Sequence, residues 1–157
     1  RVYSFDPVED NLEVLEENVK IFPYKNIDIF PCGLSDKNKD GTPIRLNSYA
    51  PGFNIFAAEM NNIRLPLRTI DYLVDSGEIE KINFLKLDVE GSEMATLRGA
   101  RNSIDRFKPK LAISIYHKPD DFFEIINYIK ENHKYYKLYV DHYTVHREET
   151  VVYGLPY

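Results

Sequence analysis

The sequence holds one cysteine, Cys32. A lone cysteine excludes an internal disulfide and any cysteine-built zinc site, so packing alone must hold the fold, and a reducing compartment suits it. No apolar run approaches the roughly 20 residues that a membrane-crossing helix needs, so no membrane span is expected. An excess of basic residues is also lacking: 20 Lys and Arg stand against 25 Asp and Glu, a net charge of −5. That balance leaves no basic stripe for a phosphate backbone and argues against nucleic acid as a partner. Internal repeats, low-complexity tracts and linkers are absent too. What is present, 157 residues at 43% hydrophobic and 29% charged, has the make-up of one globular domain, and with no signal peptide a cytoplasmic location is expected.

The chain opens on strand formers, Val2, Tyr3 and Phe5, and leaves them through Asp6-Pro7, so its first residue lies inside a sheet. After Pro7, the apolar residues Val8, Leu12, Leu15 and Val19 predict a helix that packs one face on that sheet. "IDIFP" (27–31) reads as a strand, "CGLSDKNKDG" as turns, and 42–70 as an irregular β stretch broken by Pro and Gly. "TIDYLVDSG" predicts a short helix closed by Gly77, and "INFLKLDVEG" a buried strand ending on acid and glycine. Met94, Leu97, Ala100, Ile104 and Phe107 predict one helix from Ser92 to Phe107; "KLAISIYH" is an apolar strand, and Phe122, Ile125, Ile126 and Ile129 mark another helix. The tail carries two strand-like runs with no helix between them, a hairpin at the sheet edge. Such alternation indicates an α/β fold, doubly wound and mostly parallel with a C-terminal antiparallel hairpin, in which ligands bind beyond the carboxyl ends of the strands.

Three strand ends carry polar groups: Asp6, then Asp88 with Glu90, then His117. Each has a plain alternative, since Asp caps helices, Glu suits a first helical turn, and a single His is commonly just a hydrogen-bonded polar group. Asp6 is the sharpest, because in nucleoside-binding α/β folds an acid at the end of the second strand accepts hydrogen bonds from ribose hydroxyls, about 20 residues beyond a glycine-rich loop. No such loop precedes it. The expectation is therefore a single domain, 1–157, truncated at its N-terminus so that the first strand and glycine loop are missing.

The stretch "INFLKLDVEGSEMATLRGARNSIDRFKPKLAISIYH" (82–117), with its "KLDVEGSE" and "LRGA" elements, resembles the FkbM-type methyltransferases. Weaker similarity runs through "VYSFDP", "NVKIFPYKNIDIFPCGLSD", "LPLRTIDYL" and "VVYGLP". The resemblance implies a Rossmann-like class I enzyme that uses S-adenosyl-L-methionine to O-methylate a sugar or other small-molecule or glycan hydroxyl. It places Asp6, where the family usually has Glu, on the ribose, and Gly33, Leu34 and Ser35 beside the adenine; Asp88 joins the cofactor contacts. Of the catalytic candidates Asp88, Glu90 and His117, His117 suits a general base because an ordinary imidazole titrates near neutral pH, and Asp88 is its orienting group or the alternative base. Asp88, Glu90 and Glu93 are an alternative Mg²⁺ set, but acids on a strand end and first helical turn more often cap that helix, so no metal is expected. Two further readings stay open: a noncatalytic interaction module that has lost cofactor binding, and an NAD-dependent oxidoreductase, the latter on fold analogy alone. The 157 residues by themselves are expected to be a poor enzyme.

Overall fold

In the computed structural model, which describes residues 1–43, 45–46, 53–54, 64–146 and 148–157, Val2–Phe5 (β1) pairs in parallel with Ile27–Phe30 (β2), Val2 opposite Ile27 and Phe5 opposite Phe30. Glu9–Ile21 (α1) connects them. Its predicted stripe is the one that packs: Val8, Leu12, Leu15 and Val19 are half-buried while the residues between them are exposed. No residue of α1 is fully buried, so this face is covered only in part.

Three short strands follow, Gly33–Leu34 (β3), Lys39–Pro43 (β4) and Arg45–Leu46 (β5), then Phe53–Asn54 (β6) and Arg64–Arg68 (β7). β7 lies between β3, which is parallel to it, and β4, which is antiparallel; β5 and β6 form a separate antiparallel pair. The expected irregular β stretch is thus seen in pieces, with 44, 47–52 and 55–63 outside the described residues. Ile70–Asp75 (α2) is the short helix expected. Thr69 Oγ1 caps it by accepting from the Tyr72 amide at 3.0 Å, and Gly77 at φ 81° ends the turn.

The second half holds Phe84–Leu87 (β8), Glu93–Gly99 (α3), Arg101–Phe107 (α4), Lys110–Ser114 (β9), Asp121–Asn132 (α5), Tyr136–His142 (β10) and Thr150–Pro156 (β11). The sheet order is β10-β11-β9-β8, with β8 and β9 parallel and β11 antiparallel to both of its neighbours. The predicted C-terminal hairpin is therefore present, and its second strand is the one that joins the sheet. Leu73, Leu87, Leu97, Ile104, Ile113 and Ile125 form the core between this sheet and the helices.

Two expectations need correction. Ser92–Phe107 is two helices, because Ala100 at φ −112°, ψ 5° leaves the helical region; it keeps the apolar spacing, so periodicity alone does not register the break. β8 is not a fully buried strand: Leu85 and Leu87 face the core, whereas Phe84 is 58% exposed and Lys86 faces out. Among the described residues β8 pairs only with β9, and β1 only with β2. Between β1 and β8 lies a cavity of about 430 Å³ lined by Val2, Tyr3, Phe5, Leu34, Ile82 and Leu85.

A polar knot around the buried His133 ties α4 to the start of β10. His133, fully buried, sets Nδ1 2.7 Å from Asp105 Oδ1, and the Tyr135 hydroxyl donates to the same oxygen at 2.7 Å. Burial pushes the Asp105 carboxyl up, but the hydrogen bonds from Tyr135 and His133 outweigh it and hold the group below its ordinary 3.8. A carboxylate lowered in the folded state contributes stability above its unfolded value and loses that contribution as pH falls through the folded one. Asp105→Asn should therefore lower stability by about 1 kcal/mol at pH 7, a modest figure because the side chain is half exposed, and the gap to wild type should close below about pH 4. Thermal melts at pH 7 and pH 3 measure this; an equal gap at both would remove the charge from the account.

Candidate functional site

β8 ends at Leu87 and the chain turns sharply through Asp88–Ser92, with Glu90 at φ 51° and Gly91 at φ 92°. Two successive left-handed residues reverse the backbone so that α3 starts at once; for Glu90 this conformation costs about 1 kcal/mol or more. Gly91 suits the turn by its φ, and a Cβ there would crowd Lys118 Cε at 3.1 Å and disturb the ammonium that donates to the Gly91 carbonyl. The reversal points Glu93 back at the turn, where its Oε1 accepts from the Val89 amide at 2.9 Å. Parallel pairing with β9, Leu87 opposite Ile113, sets the two carboxyl ends side by side and delivers His117 to the same place.

His117 is enclosed by carboxylates. Its Nδ1 lies 2.9 Å from Glu93 Oε1, and its Nε2 lies 3.5 Å from Glu90 Oε2 and 3.7 Å from Asp88 Oδ1. The imidazole is 10% exposed and Glu93 not at all. The Nδ1 to Glu93 approach is within hydrogen-bond reach but off the aligned direction, leaving both ring nitrogens and Glu93 Oε2 buried without an aligned partner. Catalytic hydrogen bonds are often loose before substrate arrives. Asp88 is held from two sides, by Lys86 Nζ at 3.0 Å and the Tyr116 hydroxyl at 3.2 Å.

These contacts set the charges. Burial pushes the His117 imidazole down, but the Glu93 contact and the charges of Glu93, Glu90 and Asp88 outweigh it and raise the group above its ordinary value. Burial pushes Asp88 up, and the ammonium of Lys86 together with a Ser114 hydrogen bond and the nearby His117 more than reverses this. Tyr116 is raised by burial and by the neighbouring Asp88 charge, so its hydroxyl stays protonated and donates.

Of the polar groups expected together at the strand ends, Asp88, Glu90 and His117 meet. Asp6 joins no hydrogen bond or ion pair with them among the described residues. It accepts from the Val8 amide at 2.9 Å and from Asn11 Nδ2 at 3.1 Å, the local capping alternative. Each of its oxygens keeps a lone pair, so Asp6 fits a hydroxyl-bearing ligand. Gly33 and Leu34 are buried in β3 against β7, and the Ser35 amide donates to the Arg68 carbonyl at 2.9 Å, so this stretch offers a packed wall more than free polar groups. Glu93 is the residue missed as a partner of His117. Its position in a first helical turn was legible, but only the left-handed turn aims it inward. Ligand atoms of Asp88, Glu93 and His117 lie within 4.8 Å of one another, so the triplet able to hold a cation replaces Glu90 of the alternative metal set with His117.

Residues 1–136 match the profile of the methyltransferase FkbM domain. The chain belongs to the FkbM methyltransferase family. The hexuronic acid methyltransferase AglP of Haloferax volcanii is 34% identical over 109 residues, covering 66% of this chain and 42% of AglP. The crystal structure of methyltransferase FkbM from Methylobacillus flagellatus KT superposes on 99% of this chain and 36% of its own, with TM-score 0.77 and 28% identity. A Streptococcus mutans protein in complex with SAH shares the fold at TM-score 0.53 and 13% identity, over 99% of this chain and 76% of that one. This FkbM-family chain spans less than half the length of AglP and of the Methylobacillus protein. No helix among its described residues is long and apolar enough to cross a membrane.

Proposed function

We propose that this chain carries the catalytic site of an S-adenosylmethionine-dependent methyltransferase that O-methylates a sugar or other small-molecule hydroxyl. The observation that carries the reading is His117, nearly buried among three carboxylates at the carboxyl ends of two parallel strands, in a chain of this family. The name of AglP supports a sugar acceptor. In this reading β1·β2 and β8·β9 are the two halves of one doubly wound sheet, with the ligand crevice across their carboxyl ends.

When bound, S-adenosylmethionine supplies a methyl group activated by a positively charged sulfur. Asp6 holds the ribose hydroxyls, Gly33, Leu34 and Ser35 wall the adenine, and Asp88 completes the cofactor contacts. His117 Nε2 takes the proton of the acceptor hydroxyl, and Asp88 and Glu93 stabilise the imidazolium that results. Glu90, 41% exposed, covers Nε2 and must turn outward to admit the acceptor. Lys86 and Tyr116 hold Asp88 while this happens.

The test is calorimetric titration of S-adenosylmethionine into the intact protein, followed by methyl transfer to a hexuronic acid and to a neutral sugar. Binding in the micromolar range is expected, weakened about 10- to 150-fold by Asp6→Ala, the scale of a lost hydrogen bond to a charged group. Binding unchanged in the variant removes Asp6 from the site. No binding at all favours the noncatalytic module.

A further inference from the structure

We propose that Glu93 is the positioning residue of His117, fixing the neutral imidazole with its proton on Nδ1 so that Nε2 is left bare toward the acceptor. The inference rests on the reading of His117 as the base, and extends it to a residue with no access to substrate.

Glu93 is fully buried, and an ionised carboxylate only accepts hydrogen bonds. Its Oε1 is pinned by the Val89 amide at 2.9 Å, so the oxygen cannot drift from the turn. A second lone pair on that oxygen remains, and His117 Nδ1 stands 2.9 Å away, within reach though off the aligned direction, so that a small turn of the ring completes the bond. Only a proton on Nδ1 turns this approach into attraction; the other tautomer would press two lone pairs together in a buried site. Nε2 then carries no proton. At 3.5 Å and 3.7 Å, Glu90 and Asp88 lie beyond the 2.6–3.2 Å or so of a close hydrogen bond, so neither holds a proton on that nitrogen as Glu93 does on Nδ1, and Glu90 has only to swing aside for the acceptor. Glu93 also sits at the first turn of α3, held by the Val89 amide within the rigid turn, where a carboxylate can keep an imidazole from rotating. The arrangement matches in role, though not in residue order, the carboxylate that orients the histidine of a serine-protease triad.

The experiment uses the intact protein with ¹⁵N-labelled histidine. At a pH where His117 is neutral, its ring shifts should report the Nδ1–H tautomer. Glu93→Met, which keeps the volume and removes the acceptor, should mix the tautomers and lower kcat by about 100-fold or more, with acceptor KM within about twofold, since only the oriented base is lost. Glu93→Gln retains an oxygen for both contacts and should recover at least about tenfold of that loss. In a His117→Ala background, Glu93→Met should change kcat by less than about twofold. If Glu93→Met does not fold, the wild-type tautomer and the Glu93→Gln rate decide. An Nε2–H tautomer in the wild type overturns the proposal. So does a rate loss that persists without His117, or Mn²⁺ binding at His117 that vanishes with Glu93, which would make Glu93 a metal ligand. Full activity of His117→Ala with the Nδ1–H tautomer intact would instead count against the base assignment alone.

Discussion

His117→Ala should slow methyl transfer by about 100-fold or more while S-adenosylmethionine affinity stays within about twofold, as expected when a general base is lost and the cofactor contacts are spared. His117 touches none of the residues assigned to the ribose and adenine: it contacts Glu93, Glu90, Asp88 and Tyr116, whereas Asp6 lies with its own helix, and Asp88 keeps its bonds from Lys86 and Tyr116 when the imidazole is removed. The pH profile should carry the same signature. A base works when neutral, and burial, which lowers His117, is outweighed by the Glu93 contact and the surrounding carboxylate charges. The acidic limb of kcat should therefore lie above the 6.5 or so of an ordinary imidazole, and the rate should rise with pH through that limb and then level. Steady-state rates from pH 5 to 9 for wild type and His117→Ala measure both points. A mild His117→Ala with a severe Asp88→Asn would reverse the assignment and make Asp88 the base. A wild-type limb near or below 6.5 would mean that the carboxylates do not govern His117.

Gly99→Ala should be among the most destabilising single-methyl additions in the chain, costing about 3 kcal/mol or more. A Cβ at Gly99 would fall well inside the van der Waals radius of the Ser35 carbonyl oxygen, 3.0 Å from its carbon and 3.2 Å from Asp36 Cα. All three are backbone atoms, and Ser35 is tied to β7 through the Arg68 carbonyl, so the neighbour cannot yield as a flexible side chain would. Gly77 makes the useful contrast. Nothing lies within 4 Å of a Cβ there, and its φ of 81° is the only obstacle, so Gly77→Ala should cost about 1 kcal/mol. For a chain of this size the two changes should lower Tm by about 6–12 °C and about 2–4 °C respectively. Because Gly99 ends the helix that Glu93 begins, Gly99→Ala should also reduce methyl transfer in whatever protein still folds. If the two variants melt within about 2 °C of each other, close packing at Gly99 is not what holds α3 to the segment after β3.

The elements legible in the sequence are those whose apolar residues repeat along one chain segment. Val8, Leu12, Leu15 and Val19 marked the packed face of α1, the capped "TIDYLVD" marked α2, and the two strand-like runs after residue 135 marked the hairpin. Asp88, Glu90 and His117 were legible for a related reason: each follows the end of an apolar strand, and parallel strands with helical crossovers put such ends together. The "KLDVEGSE" element resembled a family, and the match over residues 1–136 confirmed it.

Periodicity could not show where a helix stops without losing its spacing, as at Ala100, nor which alternate residues of an apolar strand face outward, as Phe84 does. It also left the packing of Gly33, Leu34 and Ser35 undetermined, since their partners on β7 and α3 lie far along the chain. The sequence alone determined that acids and a histidine would gather at strand ends, because local apolar patterning dictates where strands begin and end. Only the tertiary structure decided that Glu93 is the acid nearest the imidazole. That contact needs two left-handed residues at 90 and 91 and the register of Leu87 with Ile113, and both depend on packing between segments remote in sequence.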